Sequence, residues 1–178
     1  MILFSEKQKF RQWWIWVVLL AMAGLFVYGI YRQIVLKKPF GDHPASDTGL
    51  LIASLIPVFL LLLFLFAELK TEISENGVSY KFFPFHLNKI IIPWANIEKA
   101  FVRKYNPITE YGGWGFRLGI FGSGRALNVS GNMGLQLIFK NRKRLLLGTR
   151  KSEELRKAIQ KIIDKKIFDV SASQNSTV

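Results

Sequence analysis

The sequence predicts a two-helix transmembrane hairpin followed by a mainly-β domain of about seven antiparallel strands, capped by one C-terminal α-helix. Three observations predict it. Two runs, Trp13–Tyr31 and Thr48–Ala67, carry no charge over 19 and 20 residues. Behind them, short segments alternate apolar and polar residues between turn-forming sequences. Near the end, Leu155, Ala158, Ile159, Ile162 and Ile163 recur at the 3-and-4 spacing of one helix face. Residues 1–67 are assigned to the hairpin, with spans 13–31 and 48–67. Residues 68–168 form the β domain, and 169–178 a polar, disordered tail.

Composition sets the frame. The mean hydropathy is positive, +0.21, yet 25 Lys+Arg face 12 Asp+Glu in 178 residues, a net charge of +13. So apolar a chain collapses, which excludes intrinsic disorder. The absence of cysteine excludes a disulfide scaffold, Cys-ligated metal and thiol chemistry.

Each apolar run matches the ~30 Å hydrocarbon core of a bilayer at about 1.5 Å per helical residue. Neither has the polar face that a helix on a soluble core needs. Trp13, Trp14 and Trp16 stand at one end of the first run and Tyr28 and Tyr31 at the other, as interfacial belts do. Pro57 lies inside the second run, where it removes one backbone donor and favours a kink. The competing reading of the first run is a cleaved signal peptide, with Lys7, Lys9 and Arg11 as its basic start and Ala21-Met22-Ala23 as the cleavage site. The apolar run continues eight residues past Ala23, which favours a retained anchor. Ala21, Gly24, Ala53, Ser54 and Pro57 are the candidate packing residues of the spans.

Charge sets orientation. Three basic residues precede the first span, and Arg32, Lys37 and Lys38 follow it. Residues 68–178 hold 19 Lys+Arg against 9 Asp+Glu, a surplus of ten. The expectation is a cell-membrane (inner or plasma membrane) protein with both termini in the cytoplasm and the short loop outside.

The strands follow in order. Leu69–Ser74 and Val78–Phe83 flank Glu75-Asn76-Gly77, a tight-turn signal. Lys89–Pro93 and Asn96–Lys104 come next, then the shorter Gly115–Ile120 and Arg125–Val129 around a glycine-rich turn. Gly134–Phe139 and Arg144–Leu147 flank the turn Lys140–Lys143. Ser152-Glu153-Glu154 opens the helix with a cap residue and two acids at its positive end.

Three stretches carry a resemblance: Ile92-Pro93-Trp94-Ala95-Asn96-Ile97, Tyr111-Gly112-Gly113-Trp114-Gly115, and Gly134–Thr149 with the helix behind it. Together with the two N-terminal spans, they resemble the membrane-anchored bacterial pleckstrin-homology-like (bPH) proteins over roughly residues 69–166. The resemblance implies a bent antiparallel sheet capped by the helix, a binding or assembly role, and no catalysis. Eukaryotic lipid-reading relatives of that fold place Lys and Arg around the first hairpin loop. Here that loop is Glu75-Asn76-Gly77, which argues against phosphoinositide recognition there.

No catalytic constellation emerges. His43 and His86 lack partners at metal-ligand spacing. The glycines of 111–124 fit no phosphate-loop pattern and are read as turn and packing residues. Glu153-Glu154 are explained by the helix end, and Glu72 and Glu75 by a hairpin. Asn128-Val129-Ser130 and Asn175-Ser176-Thr177 match the glycosylation pattern by chance if the domain is cytoplasmic. No enzyme activity, cofactor, metal or nucleic acid is expected. The basic surplus is the informative feature: Lys140, Arg142, Lys143 and Arg144 crowd one turn, and Arg103 and Lys104 end a strand. These six are the candidates for anionic lipid headgroups, against the alternative that they only solvate the domain. Two function classes follow. One is a membrane-anchored binding or scaffold module that contacts protein partners or self-assembles near anionic lipid. The other is an accessory subunit of a transporter or channel that acts through its spans.

Overall fold

A computed structural model describes residues 1–119, 123–165 and 167. The tail and residues 120–122 of the glycine-rich turn lie outside the described residues. The chain divides into two compact units, Arg11–Phe66 and a second formed by Met1–Phe10 together with Ala67 onward. The boundary differs from the sequence expectation, because the first ten residues belong with the β unit and not with the hairpin segment.

The helical unit contains α1 (Trp13–Ile30), prolonged by a π-helical turn at Tyr31–Val35, and α2 (Asp47–Phe66). At 23 and 20 residues, they are long and apolar enough to cross a membrane. Little of either is buried, 17% and 11%, where the core helix of a soluble domain would be mostly covered. Ala67 falls outside α2, which runs unbroken through Pro57. The buried positions are Ile15, Leu19 and Gly29 on α1 and Leu50 and Pro57 on α2. Of the predicted packing residues, Pro57 is buried and Ala53 and Ser54 are half-buried, while Ala21 and Gly24 lie on the exposed face. Gly24 has open space where a Cβ would stand. The close approach falls at Gly29 instead, where a Cβ would meet the Phe40 ring at 2.9 Å.

The β unit begins with a strand that the sequence did not announce. β1 (Ile2–Lys9) forms the edge of a four-stranded antiparallel sheet with β2 (Glu68–Ser74), β3 (Gly77–Phe83) and β4 (Ile90–Pro93), in order β1-β2-β3-β4. Its register with β2 runs from Phe4↔Ile73 to Lys9↔Glu68, so it pairs across the whole helical insertion. Phe4, Glu6, Gln8 and Phe10 point inward and are buried, while Ser5, Lys7 and Lys9 are exposed. The two inward polar side chains find partners at the far end of the chain, although Gln8 Oε1 is buried without one. The Glu6 carboxyl accepts from the Thr149 hydroxyl (2.6 Å) and the Arg150 N–H (3.0 Å), and Gln8 Nε2 donates to the Gly148 carbonyl (2.7 Å).

The second sheet contains β5 (Ile97–Lys104), β6 (Gly115–Leu118), β7 (Arg125–Asn128), β8 (Met133–Phe139) and β9 (Arg144–Thr149), in order β5-β8-β9-β7-β6. The described residues thus hold nine strands, where about seven were expected. They are not all antiparallel, because β7 pairs parallel to β9 (Arg125↔Leu145 to Leu127↔Leu147). Gly124, at φ +85°, makes this pairing possible. A Cβ there would stand 2.4 Å from the Arg144 carbonyl oxygen. Leu69, Ile73, Val78 and Phe82 of the first sheet and Leu127, Leu135, Leu137, Leu146 and Leu147 of the second are fully buried. Trp94, in a 3₁₀ turn at Trp94–Asn96, donates its indole N–H to the Ser74 carbonyl (2.9 Å).

Two helices complete the unit. The short α3 (Pro107–Tyr111) was not expected, although its cap signals are present. Asn106 Oδ1 accepts from the N–H groups of Ile108 and Thr109, Pro107 is the first helical residue, and Gly112 ends the helix at φ 70°. α4 (Ser152–Asp164) buries Leu155, Ala158, Ile159 and Ile162, as the stripe predicted, against β1, β5 and β8. Lys151, not Ser152, occupies its N-cap position. Glu75 in the β2–β3 turn joins Met1 to the end of α4, accepting from the Met1 amino group (3.1 Å) and from Lys165 Nζ (2.7 Å).

Because Lys9 and Glu68 are cross-strand partners, residues 11–66 are replaceable by a two-residue Asn-Gly turn between Phe10 and Ala67. The shortened chain is expected to melt cooperatively by circular dichroism. A chain starting at Ala67 loses the buried Phe4 and Phe10, a loss of about 3–5 kcal/mol each. That sum rivals the ~5–15 kcal/mol stability of a domain, so this chain is expected to show no cooperative transition.

Candidate functional site

The six basic residues singled out by sequence do not form one site. Arg103 is withdrawn from it. Its guanidinium pairs with Glu110 (2.7 Å) and donates to Gln136 Oε1 (3.1 Å) and the Tyr111 hydroxyl (3.3 Å), holding α3 on β5 and β8. Burial opposes the charge on Glu110, but Arg103 and the Asn106 N–H together outweigh it and keep the Glu110 pKa below its ordinary value. Lys104 is exposed beside a separate depression lined by Tyr105, Asn106 and Glu110. Lys140 is exposed in the β8–β9 turn.

Arg142, Lys143 and Arg144 do converge, and with partners that the sequence did not single out. They line an open cleft of about 480 Å³ together with Arg125, Tyr80 and Phe139. Arg125 arrives there because β7 runs parallel beside β9, which sets Arg125 opposite Leu145. Arg142 closes the turn at φ 63°, with its N–H on the Phe139 carbonyl (2.8 Å). Among the described residues, no carboxylate lines the cleft. Among the ion pairs of the described residues, none involves Arg125, Arg142, Lys143 or Arg144. Burial raises the Tyr80 phenol pKa, against the opposing pull of Arg125, so its hydroxyl remains a neutral donor. Four unpaired cations and a phenol around a concavity favour an anionic group.

The supports are rigid. Asn128 is fully buried, its Oδ1 accepting from Gly115 N–H (2.8 Å) and its Nδ2 donating to the Tyr105 hydroxyl (3.0 Å). It cannot serve as a glycosylation acceptor in the folded chain, in keeping with the chance reading of Asn128-Val129-Ser130. Asn175 lies outside the described residues. Tyr105, pushed up to about 12 chiefly by burial, stays protonated. Tyr111 packs edge-on to it at 5.9 Å. His86 contacts Tyr80 and Phe116 through ring edges, at 5.5 and 5.7 Å. Among the described residues no group of three or more His, Cys, Asp or Glu could hold a metal.

On the outer face of the first sheet, Glu72 is buried between Lys70 (2.7 Å) and Lys89, both on its carboxylate. These two hydrogen-bonded cations lower its pKa below the ordinary 4.5, against a smaller opposing effect of burial. The stabilising contribution is therefore complete above the ordinary carboxylate range and is lost as pH falls through it. Glu72→Gln is expected to lose about 1–2 kcal/mol near neutral pH, discounted for the half-exposed lysines. Denaturant unfolding at about pH 7 and about pH 3.5 checks this, because the difference from wild type should shrink at the lower pH.

No protein-family model matches the chain, and no curated protein matches it significantly.

Proposed function

We propose that the protein is a non-catalytic, membrane-anchored binding module whose β unit holds anionic lipid headgroups in the cleft of Arg125, Arg142, Lys143 and Arg144. The observation that carries this reading is the convergence of four unpaired cations, with no carboxylate among them, on one concave surface. α1 and α2 are the membrane spans in this reading. Because β1 and β2 share one sheet, residues 1–10 and 67–165 must lie on the same side of the bilayer. The basic residues of the β unit support the cytoplasmic side for both. Two sheets with a C-terminal helix are compatible with a pleckstrin-homology-like module. The additional N-terminal strand and the parallel β7–β9 pair depart from its expected pattern. A second reading, docking of the spans on a transporter or channel subunit, draws on Ala21 and Gly24. They lie on the exposed face of α1, where small side chains permit close helix approach.

Each basic side chain near an anionic surface contributes about 1 kcal/mol, decaying over a Debye length of about 8 Å. Reversing Arg142, Lys143 and Arg144 to Glu in the loop-shortened chain is therefore expected to cost at least about 3 kcal/mol, roughly 100-fold in binding to anionic vesicles. Unchanged vesicle sedimentation at low salt refutes the lipid role. A reporter active only in the cytoplasm, fused after Val178, is expected to be active; an inactive fusion with intact expression refutes the topology.

A further inference from the structure

We infer that the loop between β3 and β4 is an interfacial wedge that inserts Phe83, Phe85 and Leu87 into the headgroup–acyl boundary of the bilayer. This rests on the membrane reading above. Apolar side chains are normally covered, yet Phe83, Phe85 and Leu87 are 37%, 55% and 69% exposed within five residues. The loop is also rigid. Phe85 stacks on Phe116 (5.8 Å, 19° between planes) and packs against Phe82 (5.3 Å), and the His86 N–H donates to the Phe82 carbonyl (2.7 Å). Aromatic side chains displayed by a held loop are the kind that anchor proteins at the level of the headgroups.

The occupant is fixed by where the loop sits in the sheet. Phe83 pairs directly with Glu68, and Glu68 pairs with Lys9. Glu68 is two residues beyond the end of α2, and Lys9 four before the start of α1. Both connections to the helical unit therefore leave from the sheet end that carries the loop. The opposite end, the turn at Asn76, is six residues of β2 away, roughly 20 Å of strand. Lys81 stands two residues before Phe83 on β3, a cation suited to headgroup phosphates, while Lys89 is held by Glu72. The basic cleft lies close as well: Tyr80, one of its walls, is three residues along β3 from Phe83, roughly 10 Å.

The chain has no cysteine, so single labels are clean. Phe85→Cys, Leu87→Cys and, as control, Asn76→Cys are made in the full chain, labelled with an environment-sensitive fluorophore and reconstituted into neutral phosphatidylcholine vesicles. A second set contains phosphatidylglycerol. At positions 85 and 87 the expected result is blue-shifted emission and several-fold stronger quenching by shallow nitroxide lipids than at position 76, in both compositions. Labels at 85 and 87 as water-exposed as the one at 76 overturn the inference; so does insertion only with phosphatidylglycerol, because electrostatic attraction and not the apolar loop would then be its cause. The headgroup-binding reading fails on a different result, vesicle binding of the loop-shortened chain indifferent to lipid charge and salt, so the two are separable.

Discussion

The structure depends on one pairing, that of the first strand with the strand that follows the helical insertion. Met1–Phe10 and Ala67 onward form a single unit around a segment of 56 residues, Arg11–Phe66. Lys9 and Glu68 stand opposite each other, so the entry and exit of the insertion are held one strand spacing apart, about 4.8 Å. An insertion that leaves and returns at neighbouring positions makes a hairpin of two helices the natural occupant.

β9 transmits this constraint. It is the central strand of the second sheet and is buried at every position after Arg144. Its first residue lines the basic cleft, and its last groups, Gly148 to Arg150, accept or donate the hydrogen bonds of Gln8 and Glu6. Six residues therefore tie the N-terminal strand to the cleft. Polar groups buried this way stabilise only when their partners are present, so β1 and the end of β9 require each other. The same strand also recruits Arg125: without the close approach that Gly124 allows, β7 could not lie parallel to β9, and the cleft would lose a wall.

Much of this was legible from sequence, and the parts that were not have physical causes. Most of the other strands and α4 announce themselves by alternation, short apolar runs and a helical stripe, because their inward residues are mostly apolar. β1 does not, because its inward positions include Glu6 and Gln8, so Ser5-Glu6-Lys7-Gln8-Lys9 looks like a solvated basic segment before a span. Only partners more than 130 residues away make those side chains interior ones. Three residues of the basic turn were legible as a cluster, but Arg125 joined them through a parallel pairing between strands distant in sequence order. Arg103 left them for a local reason, because its partner Glu110, seven residues on, sits on α3, which the alternation does not reveal. The caps of α3, Asn106-Pro107 and Gly112-Gly113, were visible and could have found it. The glycine of close helix contact was legible as small, but which of Gly24 and Gly29 faces a neighbour depends on the placement of Phe40.

The energetics decide what such a surface can accomplish. Four cations contribute about 4 kcal/mol near an anionic surface. Two apolar side chains of the loop, exposed by half or more, contribute roughly 2–3 kcal/mol if fully buried. Either amount would be weak for a soluble protein, which must overcome the several kcal/mol of lost translational and rotational freedom on association. If α1 and α2 span the bilayer, as proposed, that cost is met by the anchor, and each contribution acts at high effective concentration. A bias of about 3 kcal/mol then favours one orientation over others by roughly 100-fold. In that reading the apolar loop and the basic cleft set orientation, not recruitment, and they do so through different physics. Insertion of the loop is insensitive to salt, while attraction at the cleft fades as the Debye length shortens. On the proposed reading, ionic strength and lipid charge loosen the cleft while the loop keeps the β unit seated, so that the cleft exchanges an anionic headgroup without release of the domain from the membrane.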